Sequence, residues 1–515
     1  MSQAPASPER LRAWLSGGRE GRRGIALAFV AGLLLPLAFA PINLFPLAII
    51  LPAIFFWLLL DVSPKRGFVL GYSLGLGYFG AGISWVVISM YRFGGMGLTL
   101  AVLTTLLFVL FLALFTALVG WLSRRYGSHL SSTLYLLLGL PALWVLLEWV
   151  RGWIFTGFPW LALGYSQTDS PLAGLAPVLG VYGVSWLTAI TAGLLVLVYL
   201  SQDRKRFIVL IAAVLVWLSA GLIGQVDWSQ DYGKPLTASL IQGNVPQELK
   251  WRPEQRAPTI ELYTSLSRER WDRDIIIWPE TALPAFYHQA ASFLQGLADE
   301  AKTQGKADLL VGLPVIKDPD VGSYFNSVVK VGDDVEFYNK SHLVPFGEYI
   351  PLEAFLGRLL DILQVPMAGF SRGEPGHSLL NVAGHKAAIS ICYEDAFGEE
   401  VIRGLPAATL LVNVSNDAWF GDSLAPHQHL QMARMRTLET SRPMLRGTNN
   451  GVSAIIDHRG RVLATSPQFE VAVLDGMIQP RSGQTPYVVM GNWPVVSGLF
   501  LVLLITALLA RKAAK

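Results

Sequence analysis

Cys392 is the only thiol in a chain of 515 residues. It closes an apolar run, Ala387-Ala388-Ile389-Ser390-Ile391, that reads as a strand, and Tyr393, Glu394 and Asp395 follow at once. Strand ends are where α/β domains present reacting groups. A lone cysteine is ordinarily a small buried hydrophobe, so nucleophilic work also requires a base and an oxyanion partner. Two other segments end in groups of those kinds. Ile275-Ile276-Ile277-Trp278 is an apolar strand stopped by Pro279, which delivers Glu280 just past its end. Val335-Glu336-Phe337-Tyr338-Asn339 begins by alternating apolar and polar residues and delivers Lys340. Each charge taken singly reads as a surface residue. A carboxylate, an ammonium and a thiol at three strand tips together form a constellation for covalent catalysis.

Other patterns carry less. Gly75-Leu76-Gly77-Tyr78-Phe79-Gly80 has the dinucleotide spacing GxGxxG, but that motif needs a strand before it and a helix after it. It lies inside an uncharged apolar stretch, where Gly71 and Gly75 at GxxxG spacing argue for close helix packing. His427 and His429 sit two apart, so they do not share a helical face, and no carboxylate or cysteine stands at a matching spacing. A structural or surface role is expected for them, with no metal and no cofactor. One cysteine forms no internal disulfide, and a net charge of +3 gives no reason to expect nucleic acid as a partner.

Short β-branched runs at 240–241, 275–278, 309–312, 335–338, 388–392, 410–414 and 452–456 alternate with helical patterns at 253–271, 290–304 and 427–441. They make residues 225–487 one α/β or layered α+β domain. The surrounding sequence is of another kind. Hydrophobic residues are 52% of the chain, charged residues only 15%, and mean hydropathy is +0.44, which together mark an integral membrane protein. Between Gly24 and Gly224 there are thirteen charged residues, mostly in clusters between long uncharged stretches. A membrane helix needs about 20 apolar residues, which gives spans at about 24–41, 44–60, 67–90, 97–122, 132–149, 172–200 and 207–224, with an eighth in 488–510. The expected division is a basic N-terminus 1–23, a seven-helix membrane domain 24–224, the soluble domain 225–487, a last helix 488–510 and a tail 511–515.

Lys and Arg favour the cytoplasmic side. With Arg10, Arg12, Arg19, Arg22 and Arg23 inside and eight alternating spans, Lys65, Arg66, Arg124, Arg125, Arg204, Lys205, Arg206, Arg511, Lys512 and Lys515 also fall inside. The outer short loops then carry only Arg92 and Arg151, and residues 225–487 lie on the far side. The first span resembles a cleavable leader ending in Ala38-Phe39-Ala40. It reads as a retained helix, because Pro41 follows immediately and a second span begins within a few residues.

The segments Trp278-Pro279-Glu280, Tyr338-Asn339-Lys340 with Leu343-Val344-Pro345-Phe346-Gly347-Glu348, and Ile391-Cys392-Tyr393-Glu394 resemble the Glu, Lys and Cys motifs of the nitrilase superfamily. Asn416-Asp417-Ala418-Trp419-Phe420-Gly421, Gln431-Met432-Ala433-Arg434-Met435-Arg436 and the arrangement of spans narrow the resemblance to the apolipoprotein N-acyltransferase family. That resemblance implies an αββα sandwich inserted into an eight-helix membrane bundle. It also implies transfer of an acyl chain from a phospholipid, through a thioester, to the N-terminal amine of a diacylated apolipoprotein.

By the same resemblance Cys392 is the nucleophile, Glu280 the base, and Lys340 the oxyanion partner, with the Tyr393 N–H as a second donor. Glu348 and Glu394 orient Lys340 and the base or receive protons from the incoming amine. Asn326 lies near the site, and Trp251, Trp419 and Phe420 line an entrance or pack in a core. Arg442 and Arg446 are candidates to meet phosphate or carboxylate groups. The enzyme is expected to be a monomer in the bacterial inner membrane, its catalytic domain in the periplasm. The main alternative is a membrane-tethered amidase for small amides, which would keep the same three residues but needs only one anchor. A transporter is a second alternative, with Glu148 and Arg151 its only weak support and no inverted repeat.

Overall fold

The computed structural model describes residues 21–320, 322–345, 347–349, 369–376 and 379–514. Most of the basic N-terminus, including Arg10, Arg12 and Arg19, together with Phe346 and Lys515, lies outside the described residues.

Each apolar segment expected to cross the membrane contains a helix, although not every helix has full length. α1 (Arg22–Leu34) continues as a 3₁₀ turn over Leu35–Ala38, and α2 (Leu47–Leu58) has only 12 residues. α3 (Pro64–Gly82) is capped by the Ser63 hydroxyl and breaks before Val86, where the axis bends by 55° into a short helix ending at Phe93. α4 (Leu98–Gly127), α5 (Leu140–Arg151, extended back to Ser132), α6 (Ala176–Leu200) and α7 (Asp203–Ile223) follow. Five helices among the described residues are long and apolar enough to cross a membrane, or six if the bent pair is one span. Hydropathy read 67–90 as continuous because Ile83, Trp85 and Val86 are apolar, and an apolar sequence does not report a backbone break.

The glycines of the GxGxxG pattern serve packing. A Cβ at Gly75 would stand 2.2 Å from Thr116 Oγ1, and one at Gly77 2.3 Å from the Phe29 carbonyl oxygen. The missing side chains let α3 press against α4 and α1. Leu107, Phe207 and Leu222 are exposed on the outside of the bundle, a surface matched to hydrocarbon rather than water.

The soluble domain opens with β1 (Ser229–Asp231), β2 (Leu236–Gln242), α8 (Pro253–Arg268), β3 (Ile275–Ile277) and α9 (Tyr287–Gln304). β4 (Asp308–Asp318), β5 (Ser323–Val331), β6 (Glu336–Asn339), β7 (Leu379–Val382), β8 (His385–Ile391) and β9 (Leu410–Ser415) come next. α10 (Ala425–Thr440), β10 (Met444–Thr448), β11 (Ala454–Ile456), β12 (Val462–Thr465), β13 (Ala472–Ile478) and β14 (Arg481–Gly483) lead to the last long apolar helix, α11 (Trp493–Ala513). One six-stranded sheet has the order β13-β2-β3-β4-β5-β6 and the other β12-β11-β10-β9-β8-β7. The central pairs β2–β3–β4 and β8–β9–β10 are parallel and the rest antiparallel.

Both faces of the central strands are buried, and the two-residue period of a strand sorts their side chains. Ile275 and Ile277 meet Val412, Val414 and Leu445 between the sheets, while Ile276 faces Leu294 and Leu297 of α9. Leu411 points outward to Ala433 of α10. The layers therefore run helix, sheet, sheet, helix. β1 and β14 pair as a separate ribbon, Ser229 opposite Gly483, where the chain enters and leaves the domain.

The sandwich is bonded to the membrane half at many points. Gln428 of α10 accepts from the indole N–H groups of Trp85 and Trp160, at 3.2 and 3.0 Å, and donates to the Gly82 carbonyl. The Val181 N–H donates to Glu439 over 2.8 Å, and Arg434 pairs with Asp169. Glu148 and Arg151, considered above for transport, are occupied in structural bonds: Glu148 accepts from Trp144 and Leu163, and Arg151 donates to the carbonyls of Phe158 and Trp160.

Candidate active site

Three strands end at one place. β3 ends at Ile277, and the chain then runs through Trp278 and Pro279 to present Glu280. β6 ends at Asn339, and the Lys340 N–H continues its pairing by donating to the Asn326 carbonyl of β5 over 2.8 Å. β8 ends at Ile391, where the chain turns into a 3₁₀ helix, Cys392–Ala396, with Cys392 itself at φ 52°.

The Lys340 ammonium is 2.9 Å from Glu348 Oε1 and 3.7 Å from Glu280 Oε1, with Lys340 only 1% exposed. Asn326 ties the two carboxylates together, donating 2.7 Å to Glu280 and 3.2 Å to Glu348. Its Oδ1 finds no partner among the described residues. The other oxygen of Glu280 accepts the Asn416 N–H at 2.9 Å, and the other oxygen of Glu348 the Val344 N–H at 2.8 Å. Both carboxylates are thereby held in fixed orientations.

Glu394 orients the site through backbone. One oxygen accepts from the Ser341 and His342 N–H groups, and the other from Tyr338 Oη at 2.6 Å and the Ile391 N–H at 2.8 Å. It thus joins the end of β6 to the end of β8, fixing the residues beside Lys340 and Cys392 without bonding to the Lys340 side chain. Burial raises its carboxyl above the usual range, against the opposing pull of these hydrogen bonds and Lys340.

Burial, and then the Glu280 carboxylate, push the Cys392 thiol well above its ordinary value, with Lys340 pulling the other way. The Cys392 side chain therefore rests as a thiol, and nucleophilic work by it would require a base to take its proton. Burial works against charge on Lys340, but Glu348 and Glu280 outweigh it and keep the ammonium protonated. The site therefore holds a buried cation, two carboxylates and a neutral thiol together.

Trp419 and Phe420 follow β9 and pack against the bent span. Phe420 meets the Trp85 ring edge-on with centroids 5.0 Å apart, Trp419 meets Phe93 at 5.9 Å, and Ser89 Oγ donates to the Trp419 carbonyl over 2.7 Å. Trp251 is apart from this wall and 51% exposed. Its neighbour Lys250 is a feature that sequence reasoning missed: fully buried, with no partner for Nζ among the described residues, it is lowered to about 8 by burial.

Arg442 and Arg446 are bonded inside the protein. Arg442 donates to the carbonyls of Ala408 and Gly483. Arg446 donates to Asp395, Asn413 and Asp417. His429 is fully buried among those same carboxylates, which agrees with the structural role expected for it. Among the described residues no group of three or more His, Cys, Asp or Glu side chains is arranged to hold a metal ion.

Residues 31–194 match the family model described as apolipoprotein N-acyltransferase N-terminal domain, and residues 237–487 match carbon-nitrogen hydrolase. An apolipoprotein N-acyltransferase of Methylococcus capsulatus is 49% identical over 475 residues, covering 92% of this chain and 94% of its own. One from Nitrosomonas europaea is 44% identical over 487 residues, covering 94% and 97%. One from Vibrio vulnificus is 43% identical over 485 residues, covering 92% and 94%. Similarity at this level, over nearly the whole length of each partner and across both halves, settles the kinship: the chain belongs to the apolipoprotein N-acyltransferase family.

Proposed function

We propose that this enzyme transfers an acyl chain from a membrane phospholipid, through a thioester on Cys392, to the N-terminal amine of the lipidated cysteine of apolipoproteins, the last step of lipoprotein maturation. The observation that carries this reading is the seat of Lys340 between Glu280 and Glu348, beside the Cys392 turn. Glu280 takes the thiol proton, and the thiolate attacks the ester carbonyl of the phospholipid. The tetrahedral oxyanion meets Lys340 and the Tyr393 N–H; losing one such donor typically costs about 3 to 4 kcal/mol. Collapse breaks the C–O bond, and Glu280 returns the proton to the departing lysophospholipid.

In the second half, the neutral α-amine attacks the thioester, the C–S bond breaks as the amide forms, and the Cys392 thiolate regains a proton by way of Glu280. With a pKa near 8, roughly a tenth of that amine is unprotonated at pH 7, so a carboxylate that accepts its proton helps. Glu280 is the acceptor, and Glu348 and Asn326 hold it and Lys340 in place. Glu394 fixes the neighbouring backbone. Trp251, Trp419 and Phe420 line the way in for the acyl chain or the lipoprotein.

The bundle keeps the donor in its own solvent. Moving an acyl chain into water costs about 0.8 kcal/mol per CH₂, so a site at the membrane face avoids extracting a whole phospholipid. We read all eight apolar segments as crossings, counting the short α1 and α2 and the bent span. The bias of Lys and Arg then favours the sandwich in the periplasm and both ends of the chain in the cytoplasm. The enzyme acts as a monomer without metal or cofactor.

Intact-mass spectrometry of the full chain with vesicles of one synthetic phosphatidylethanolamine tests the reading. A gain of one acyl group, removed by hydroxylamine and absent in Cys392→Ser, is expected. A folded enzyme that gains no acyl group from this or from phosphatidylglycerol vesicles overturns it.

A further inference from the structure

Cys392 holds a backbone conformation that its own side chain disfavours. At φ 52° it lies in the left-handed region, where Cβ crowds the following carbonyl, so neighbouring groups must hold it there. Beyond the 3₁₀ turn itself, its carbonyl oxygen has two polar side-chain neighbours, neither on its own strand. Asn413 Nδ2 of β9 donates from 3.3 Å, and His429 Nε2 of α10 lies 3.2 Å away.

The proton on that ring nitrogen follows from its surroundings. Nε2 also lies 2.7 Å from Asp395 Oδ1. Asp395 pairs with Arg446, so both neighbours of Nε2 are acceptors and Nε2 carries the hydrogen whether or not Nδ1 does. Arg446 then fixes both donors. Its Nη1 donates to Asn413 Oδ1 over 2.6 Å, and its Nη2 is 2.9 Å from His429 Nδ1 and 3.2 Å from Asp417 Oδ2. All of these side chains are fully or almost fully buried. They lie behind the turn and take no part in the chemistry proposed above.

We infer that His429 is a positioning residue for the nucleophile: its Nε2–H, shared between Asp395 Oδ1 and the Cys392 carbonyl, helps hold the left-handed turn that aims the thiol. Asn413 is the second support of the same carbonyl. The inference rests on Cys392 being the nucleophile.

The test uses the full chain in phosphatidylethanolamine vesicles and the fact that Cys392 is its only cysteine. With ¹³C′-cysteine and ring-¹⁵N histidine, dipolar recoupling in the wild type should show the Cys392 carbonyl carbon close to one imidazole nitrogen; its absence overturns the inference. His429→Asn is too short to reach that carbonyl, whereas His429→Gln carries an amide N–H at about the right length. The expected result is an acylation rate roughly a hundredfold lower in His429→Asn, the loss that follows from about 1 Å of misplacement, with KM for the lipid unmoved. His429→Gln should restore most of that rate and keep the Cys392 carbonyl resonance near its wild-type position.

A folded His429→Asn enzyme acylating at the wild-type rate overturns the inference. If the Asn variant does not fold, His429→Gln decides alone: near-wild-type acylation upholds it, and a hundredfold loss with the carbonyl resonance unmoved overturns it. Should wild type form no acyl-enzyme, the proposed function has failed. The same comparison is then read from the rate at which iodoacetamide alkylates Cys392.

Discussion

The hydroxyl of Tyr393 donates to the carbonyl of Gly157 over 2.6 Å, so the residue after Cys392 is bonded to a loop of the membrane half. Its ring stacks on Trp160, with centroids 5.9 Å apart, in the same contact. The turn proposed to hold the oxyanion is therefore built by both halves of the protein.

Tyr393→Phe should keep the stacking and lose the hydrogen bond, leaving a buried carbonyl unpaired at a cost of about 1 to 3 kcal/mol. Thermal unfolding in detergent should register that cost. The single-turnover acylation rate should fall with it, and an unchanged rate would separate the turn from the membrane loop.

Lys340→Met should lower acylation by roughly 10² to 10³, the usual loss of an oxyanion donor. It also leaves Glu280 and Glu348 facing each other across Asn326 without their cation. Lys340→Arg should not restore activity, since a planar fork does not replace a compact ammonium. Stopped acylation assays on folded protein check both variants.

Gln428→Leu should destabilise the junction by about 2 kcal/mol or more, because it leaves the buried indole N–H groups of Trp85 and Trp160 unpaired. Limited proteolysis should then reach the interface between sandwich and bundle before either half unfolds.

Glu439 carries a pH dependence of stability. Burial raises its carboxyl to about 7, against the pull of Arg436. A raised acid favours the folded state fully below its ordinary pKa of 4.5 and loses that advantage as pH rises through about 7. At 1.36 kcal/mol per unit, about 3 kcal/mol is lost between those limits. The wild type should therefore unfold more easily at pH 8 than at pH 5, and Glu439→Gln should flatten that part of the profile in a pH series of melting curves.

Cys392→Ser yields a cysteine-free chain for topology mapping. Single cysteines introduced at exposed positions of the sandwich, such as Asp272, should react with a membrane-impermeant maleimide in intact cells. A cysteine at Lys65 should react only after the membrane is opened, and the reverse pattern would overturn the orientation.

The three candidate groups stood out in the sequence because each sits where an apolar run breaks: Glu280 after Pro279, Lys340 after Asn339, and Cys392 at the end of its run just before residues 393–395. The supports were not legible. His429 meets residues 34 and 37 positions away, and Arg446 meets Asp395 51 positions away, and single-sequence spacing does not encode such encounters. β10 escaped notice for a related reason: Arg446 interrupts its apolar run, yet every residue from Met444 to Thr448 is buried. β13 alternates weakly, with Asp475 and Gly476 in its middle. Trp251 and Trp419 look alike as letters; one stands exposed and the other packs on the bent span.

The ribbon of β1 and β14 bears on the order of synthesis. Ser229 waits for Gly483, and Leu236 of β2 for Ile478 of β13, so the domain stays open along one edge until almost all of it has left the ribosome. Pairing over such a separation is slow, and the last membrane helix begins only ten residues after Gly483, at Trp493. Closure of the sandwich and insertion of α11 thus fall at nearly the same moment, and a chain truncated before β13 keeps seven of its apolar segments while lacking the strand that completes its first sheet.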